Sequence, residues 1–154
     1  MSKATDIIVR IAEILRFNVS NIEKMGGSHY YVVLRSGDNI VKGYVIFTRS
    51  YLRNPVKLGI NYKYPMLGVR TNILPTTDLI IWVVEDSNCV RCYVAKSSNV
   101  FNFCVKHNTI YHNEVTNEYI CNYPVADTRK VYELCKTTLL DFVKEDSTED
   151  PSVL

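Results

Sequence analysis

Six consecutive apolar residues, Leu79-Ile80-Ile81-Trp82-Val83-Val84, constrain the fold of this 154-residue chain more than any other stretch. Asp78 stands before them and Glu85-Asp86-Ser87-Asn88 after them. The run is far too short to cross a bilayer. A short segment that is apolar on every side and bounded by turn formers predicts a central strand covered on both faces. The second arm of the same hairpin runs over residues 89–95. Layers on both sides of such a strand imply a sheet with helices packed on it.

The remaining elements follow from local patterns. Ile7, Ile8, Ile11, Ile14 and Leu15 recur at helical spacing, so residues 5–17 predict a helix, with Thr5 or Asp6 to cap it. Residues 18–27 read as a polar link ending at Gly26-Gly27. A hairpin joins 29–35 to 40–48 through Ser36-Gly37-Asp38-Asn39. Pro55, Pro65 and Pro75 punctuate an irregular region, 49–77, with room for one strand near 57–62. Residues 99–123 suggest short strands. A C-terminal helix is expected over 126–144, with Val131, Leu134, Cys135, Thr138, Leu139 and Phe142 on one stripe. The expected fold is therefore α/β, a mixed central β-sheet flanked by an N-terminal and a C-terminal helix. Residues 1–144 form one domain, and 145–154 an acidic, flexible tail.

The start Met1-Ser2-Lys3-Ala4-Thr5-Asp6 is polar and lacks the form of a secretion signal. With five cysteines and no such signal, free thiols in a reducing, cytoplasmic setting are expected, with no membrane association.

Net charge is only +2, but its distribution is uneven. Residues 39–77 contain no Asp or Glu, where about four would follow from 16 acids in 154 residues. The same span holds Lys42, Arg49, Arg53, Lys57, Lys63 and Arg70, together with Tyr44, Tyr51, Tyr62 and Tyr64. A phosphate backbone rewards this pattern, because each cation placed on it releases counterions and a nearby carboxylate cancels the gain. Tyrosines add stacking on unpaired bases or a donor to phosphate. Arg49, Arg53, Lys57, Lys63 and Arg70 are the expected phosphate contacts, with Tyr51 and Tyr62 beside them. Between Asp141 and Asp150 five acids stand against Lys144 alone, a tail that would compete for such a basic surface. A solvated basic face, or an acidic protein partner, would use the same residues.

The order of elements resembles the PD-(D/E)XK superfamily of restriction-endonuclease-like and Holliday-junction-resolvase-like nucleases. The resemblance covers about residues 5–100. It is carried by the helix bearing Glu13, by Gly27-Ser28-His29-Tyr30-Tyr31-Val32-Val33, by Lys42-Gly43-Tyr44-Val45-Ile46-Phe47-Thr48, and by Asp78 to Val84 followed by 89–94. It implies a restriction-endonuclease-like fold, DNA ahead of RNA as partner, and a homodimer. The family's metal-binding Asp falls here on Tyr31 or Val32, its Glu/Gln on Val45 and its Lys on Phe47. Mg²⁺ needs oxygen ligands, and none of these residues supplies a carboxylate. The resemblance therefore implies a pseudonuclease with no catalytic residues and no metal or other cofactor. A displaced site using Asp38, Asn61 and Lys63 would be the route to an active metal-dependent endonuclease. A protein-interaction module of viral or mobile-element origin that inhibits a host factor is the alternative from another class.

Two further constellations bear on chemistry. Cys89, Cys92, Cys104 and His107 have spacing that zinc can use, with His112 and Cys121 in reserve, yet Cys89 and Cys92 on one strand point to opposite faces. His29, His107 and His112 offer general bases and Ser28 a nucleophile, without any supporting motif.

Overall fold

The computed structural model describes residues 3–52, 55, 59, 60, 62 and 64–135. Helix α1 (Lys3–Ile14) is followed by strands β1 (Asn18–Gly26), β2 (His29–Ser36) and β3 (Asn39–Thr48). Then come β4 (Met66–Arg70), a 3-10 turn (Thr71–Thr76), β5 (Leu79–Glu85) and β6 (Cys89–Lys96). Helix α2 (Ser97–His107), β7 (Ile110–Asn113), β8 (Glu118–Pro124), a second 3-10 turn (Val125–Asp127) and β9 (Arg129–Cys135) complete the described chain.

Among the described residues the strands form two sheets, a larger one ordered β1-β2-β3-β5-β6-β9 and a smaller one ordered β4-β8-β7. Neighbours pair antiparallel except β3 and β5, which are parallel. The protein is thus mixed α/β with a mixed sheet, as expected. A parallel pair demands a crossover, and β4 is built within the one that joins β3 to β5. Asp78 fixes where β5 begins. Its N–H donates to the Lys42 carbonyl at 2.7 Å, and its carboxylate accepts from the Lys42 N–H at 2.9 Å.

Alternation along the strands divides the core in two. Val32, Leu34, Val45, Ile81, Val83, Cys92 and Val94 face α1 and meet its Ile8, Ile11 and Ala12. Tyr44, Ile46, Ile80, Trp82, Val84 and Tyr93 face the opposite way, toward α2 and the small sheet. Residues Ile80 to Val84 are all buried, as expected of a strand covered on both faces. On the α1 side Gly43 lets the sheet close: a Cβ there would stand 2.9 Å from Cγ2 of Val32. Helix α1 stops where Arg16 turns left-handed (φ 66°), and the Phe17 N–H reaches back to the Ala12 carbonyl at 2.8 Å.

Several expectations are corrected. The polar link 18–27 is strand β1, an edge strand whose inward residues are only Val19 and Ile22, and its alternation breaks at a bulge between Val19 and Asn21. Residues 97–107 are helix rather than short strands, with Ser97, Val100 and Cys104 buried at helical spacing and Asn108 closing the end in the left-handed region. The C-terminal helix expected over 126–144 is strand β9 through Cys135. Its edge position lets Leu134 remain exposed, so the apolar stripe was not a helix face. Cross-strand pairing decides the matter, through the Arg91–Glu133 ion pair and a disulfide between Cys89 and Cys135, which stand opposite each other in register. Residues 136–154, with the rest of that helix and the acidic tail, lie outside the described residues, as do 57, 58 and 61.

The disulfide also corrects the expectation of free thiols, which holds among the described residues for Cys92, Cys104 and Cys121. Such bonds are rare in reducing compartments outside hyperthermophiles, so the cysteines no longer argue for one. Among the described residues no helix is long and apolar enough to cross a membrane.

Candidate functional site

The parallel strands β3 and β5 end at Thr48 and Glu85, and two hollows open beside Thr48. One, of about 650 Å³, lies between Ser28, Arg49, Glu85 and Ser87. The other, a cleft of about 380 Å³, lies between the large sheet and β4, with His29, Tyr51 and Arg70 among its walls. A larger hollow, about 710 Å³, lies between the end of α1 and the start of α2. Its Asp78 is already engaged by the backbone of Lys42, and it is not the place where reactive side chains gather.

The gathering is in the cleft. Tyr44 is fully buried on β3, and its hydroxyl meets two groups: Nδ1 of His29 on β2 at 2.8 Å and Nη2 of Arg70 on β4 at 2.9 Å. Guanidinium only donates, so Arg70 donates to the tyrosine oxygen and the single phenolic proton is left for His29. The tautomer that accepts this proton is the neutral imidazole with its own proton on Nε2. Burial first, and the nearby Arg70 charge second, hold the His29 pKa below its ordinary value, in agreement with that assignment. Arg70 Nη1 donates to Glu118 Oε2 on β8 at 3.0 Å. Burial works against the Arg70 charge, and the bonds to Glu118 and Tyr44 outweigh it, so its pKa is raised. Arg70 Nε is buried and has no hydrogen-bond partner among the described residues. Tyr31 packs edge-on to Tyr44 and donates or accepts at Thr76 Oγ1, 3.0 Å away.

The expected contact residues are distributed as follows. Arg49 is exposed at the bend after β3 and shares its hollow with Glu85 and Asp86. Tyr51 lies across the cleft from Arg70, its hydroxyl 2.9 Å from that of Tyr93. Tyr51 and Arg70 thus share the cleft, while Arg49 lines the neighbouring hollow. Tyr62 does not join them: its ring packs edge-on against Phe103 of α2 and against Tyr64. Arg53, Lys57 and Lys63 lie outside the described residues. Lys42 sits toward the far end of β3, about 20 Å from Arg49 along the strand, and Arg70 finds its acid across the small sheet. The stretch without acids in sequence is therefore supplied with one in space.

Of the positions that the nuclease resemblance assigns to the metal, Tyr31 faces the cleft and the others lie on the other face of the sheet. Val32 and Val45 are buried against α1, Phe47 packs on the same cluster, and Glu13 is exposed on the helix. Asp38 occupies the β2–β3 turn at the opposite end of β3, while Asn61 and Lys63 lie outside the described residues. The four zinc candidates are dispersed. Cys89 is bonded to Cys135, Cys92 faces α1, Cys104 donates to the Asn122 carbonyl from α2, and His107 stacks on Phe103. Among the described residues no three His, Cys, Asp or Glu side chains group as a metal site requires.

Sequence reasoning gave His29 only as a general base and Tyr44 only as one of four tyrosines. Their signal was present, since His29, Tyr31 and Tyr44 are polar-ended residues on one face of two otherwise apolar strands. Glu118 had no local signal, because only the β4–β8 pairing brings it to Arg70. No family model, curated protein or solved structure matches the chain.

Proposed function

We propose that the protein binds nucleic acid, DNA ahead of structured RNA, on a nuclease-like scaffold whose metal-binding positions have become core. One observation carries the reading. Val32, Val45 and Phe47, three of the positions that the resemblance assigns to the metal, pack among hydrocarbon on the α1 side and Tyr31 packs on Tyr44, while His29 and Arg70 meet at Tyr44 on the opposite face and Arg49 follows the end of β3. Oxygen ligands are required for Mg²⁺, and valine and phenylalanine offer none. Ligands of open α/β sheets commonly bind beyond the carboxyl ends of parallel strands. The restriction-endonuclease-like fold, and with it a homodimer, belongs to this proposal by analogy.

The test is fluorescence anisotropy on labelled duplex, junction and single-stranded DNA and on RNA hairpins, over a series of salt concentrations. Binding is expected in dilute buffer, weakening with salt by a slope near the number of phosphates engaged. No binding to any of them would reject the reading. Incubation with Mg²⁺ or Mn²⁺ is expected to leave all substrates uncut, and nicking would restore the active-endonuclease alternative. A protein-interaction module is the second reading. It is favoured by Val115 and Tyr119 on the β7–β8 hairpin, the former 95% exposed. A partner held through that hairpin would show little dependence on salt.

A further inference from the structure

We propose that the cleft between the two sheets is a phosphate site, in which the His29 imidazole and the Arg70 guanidinium together receive a phosphodiester or phosphomonoester group, with Glu118 as its competitor for Arg70. The choice of a phosphate ligand rests on the nucleic-acid reading. The site itself rests on the donors that meet in the cleft.

The donor count exceeds the acceptor count. A guanidinium carries five N–H groups in a fixed fork. Those of Arg70 meet two acceptors, Tyr44 Oη and Glu118 Oε2, while Nε is buried with no partner among the described residues. A buried donor without an acceptor carries a desolvation penalty, which an oxygen brought to it would relieve. His29 adds a second donor. Its Nδ1 is engaged by Tyr44, which leaves the proton on Nε2 and gives that nitrogen no partner among the described residues. Ser50 also lines the cleft, and its hydroxyl supplies a neutral donor. The volume of about 380 Å³ lies within the range of small-molecule pockets.

The two bonds of Arg70 differ in how readily they yield. The bond to Tyr44 ends on a fully buried hydroxyl and orients the guanidinium. The bond to Glu118 joins side chains that are each 33% exposed. Ion pairs of that exposure are weak, because water screens them. A phosphate therefore displaces the carboxylate at little cost and keeps the tyrosine-held geometry. Glu118 sets a weak affinity without forming part of the site's frame, so removing its charge strengthens binding. That direction is opposite to the effect of deleting a contact.

The experiment follows the His29 ring by ¹H–¹⁵N NMR during titration with inorganic phosphate, dimethyl phosphate and a ten-nucleotide oligothymidylate, at constant ionic strength set with KCl. Anisotropy on the labelled oligonucleotide runs in parallel. Phosphate is expected to move the His29 resonances and to raise the pH at which the ring titrates. Glu118→Gln is expected to tighten both ligands by about fivefold, the ratio that corresponds to roughly 1 kcal/mol. Arg70→Gln is expected to abolish the His29 response. Should Arg70→Gln fail to fold, the gain from the near-isosteric Glu118→Gln still decides the question. A His29 ring unmoved by phosphate overturns the proposal, as does unchanged affinity in Glu118→Gln. Oligonucleotide binding that ignores both substitutions also overturns the site while leaving the nucleic-acid reading intact. Phosphate response without oligonucleotide binding supports the site for a small phosphorylated ligand and removes that reading.

Discussion

The two faces of the six-stranded sheet are built from different chemistry. Toward α1 every buried side chain is aliphatic or a thiol, with Val32, Leu34, Val45, Ile81 and Val83 at its centre. Toward the small sheet Ile46, Ile80 and Val84 are joined by three large aromatic residues that end in polar atoms, each with a partner. Tyr44 reaches His29 and Arg70, Trp82 Nε1 donates to the Gly68 carbonyl at 2.9 Å, and Tyr93 meets Tyr51. The covering element explains the difference. A helix satisfies its own backbone and offers an apolar stripe to the sheet, so polar tips on that side would lack partners. Strand β4 is an edge of its own sheet, which leaves the Gly68 carbonyl free to accept from across the interface. Where β4 lies over the sheet, its free carbonyl and Arg70 can therefore hold polar ends in fixed positions, and the face covered by α1 holds volume.

The strongest challenge to this contrast is a charge on the dry side. Val45→Glu places a carboxylate beside Val32 and Ile81, where it meets no cation among the described residues. Denaturant unfolding is expected to show a loss of about 4 kcal/mol or more, or no folded protein. A stable Val45→Glu that binds Mg²⁺ would break the comparison. Next is Gly43→Ala, whose methyl group must displace Val32. It is expected to cost about 1–3 kcal/mol as overpacking, with nucleic-acid affinity unchanged in the folded fraction. Tyr44→Phe removes one hydroxyl from the other face and orphans His29 Nδ1 and Arg70 Nη2. A stability loss of about 1–2 kcal/mol is expected, together with weakened phosphate binding. If it cost stability alone, the polar face would serve only to hold the sheets together.

The smallest expected effect is the response to acid. In the unfolded chain His29 titrates near 6.5, and in the fold its pKa is lower because burial and Arg70 disfavour the charged ring. Between those two values the unfolded state holds more protons, so stability falls as pH drops from about 6.5 toward the folded value and stops falling below it. Thermal unfolding of the wild type is expected to show that slope, and His29→Gln to reduce it.

Where one local pattern decided the structure, the sequence was sufficient. Both hairpins and α1 could be read from turn residues and apolar spacing, and the coverage of β5 on both faces from its unbroken run. It failed where a partner distant in the chain decided. Residues 129–135 have helical spacing of apolar groups, yet Arg91 and Cys89 across the sheet select a strand. Residues 18–26 carry too little apolar surface to announce an edge strand. The site divides along the same line. The local absence of acids singled out Tyr51 and Arg70, which line the cleft, whereas the Glu118 that meets Arg70 lies 48 residues away and is reached only through sheet pairing.

The bond between Cys89 and Cys135 makes a covalent ring of the intervening chain, enclosing α2, β7 and β8. Strand β4 lies outside that ring and contributes Arg70 from there, so the cleft is assembled between a closed loop and an open stretch of polypeptide. A protease that cuts once at the protruding Val115 would leave two fragments still tethered. They would migrate as one species on a gel until reductant is added, and would keep Glu118 within reach of its arginine.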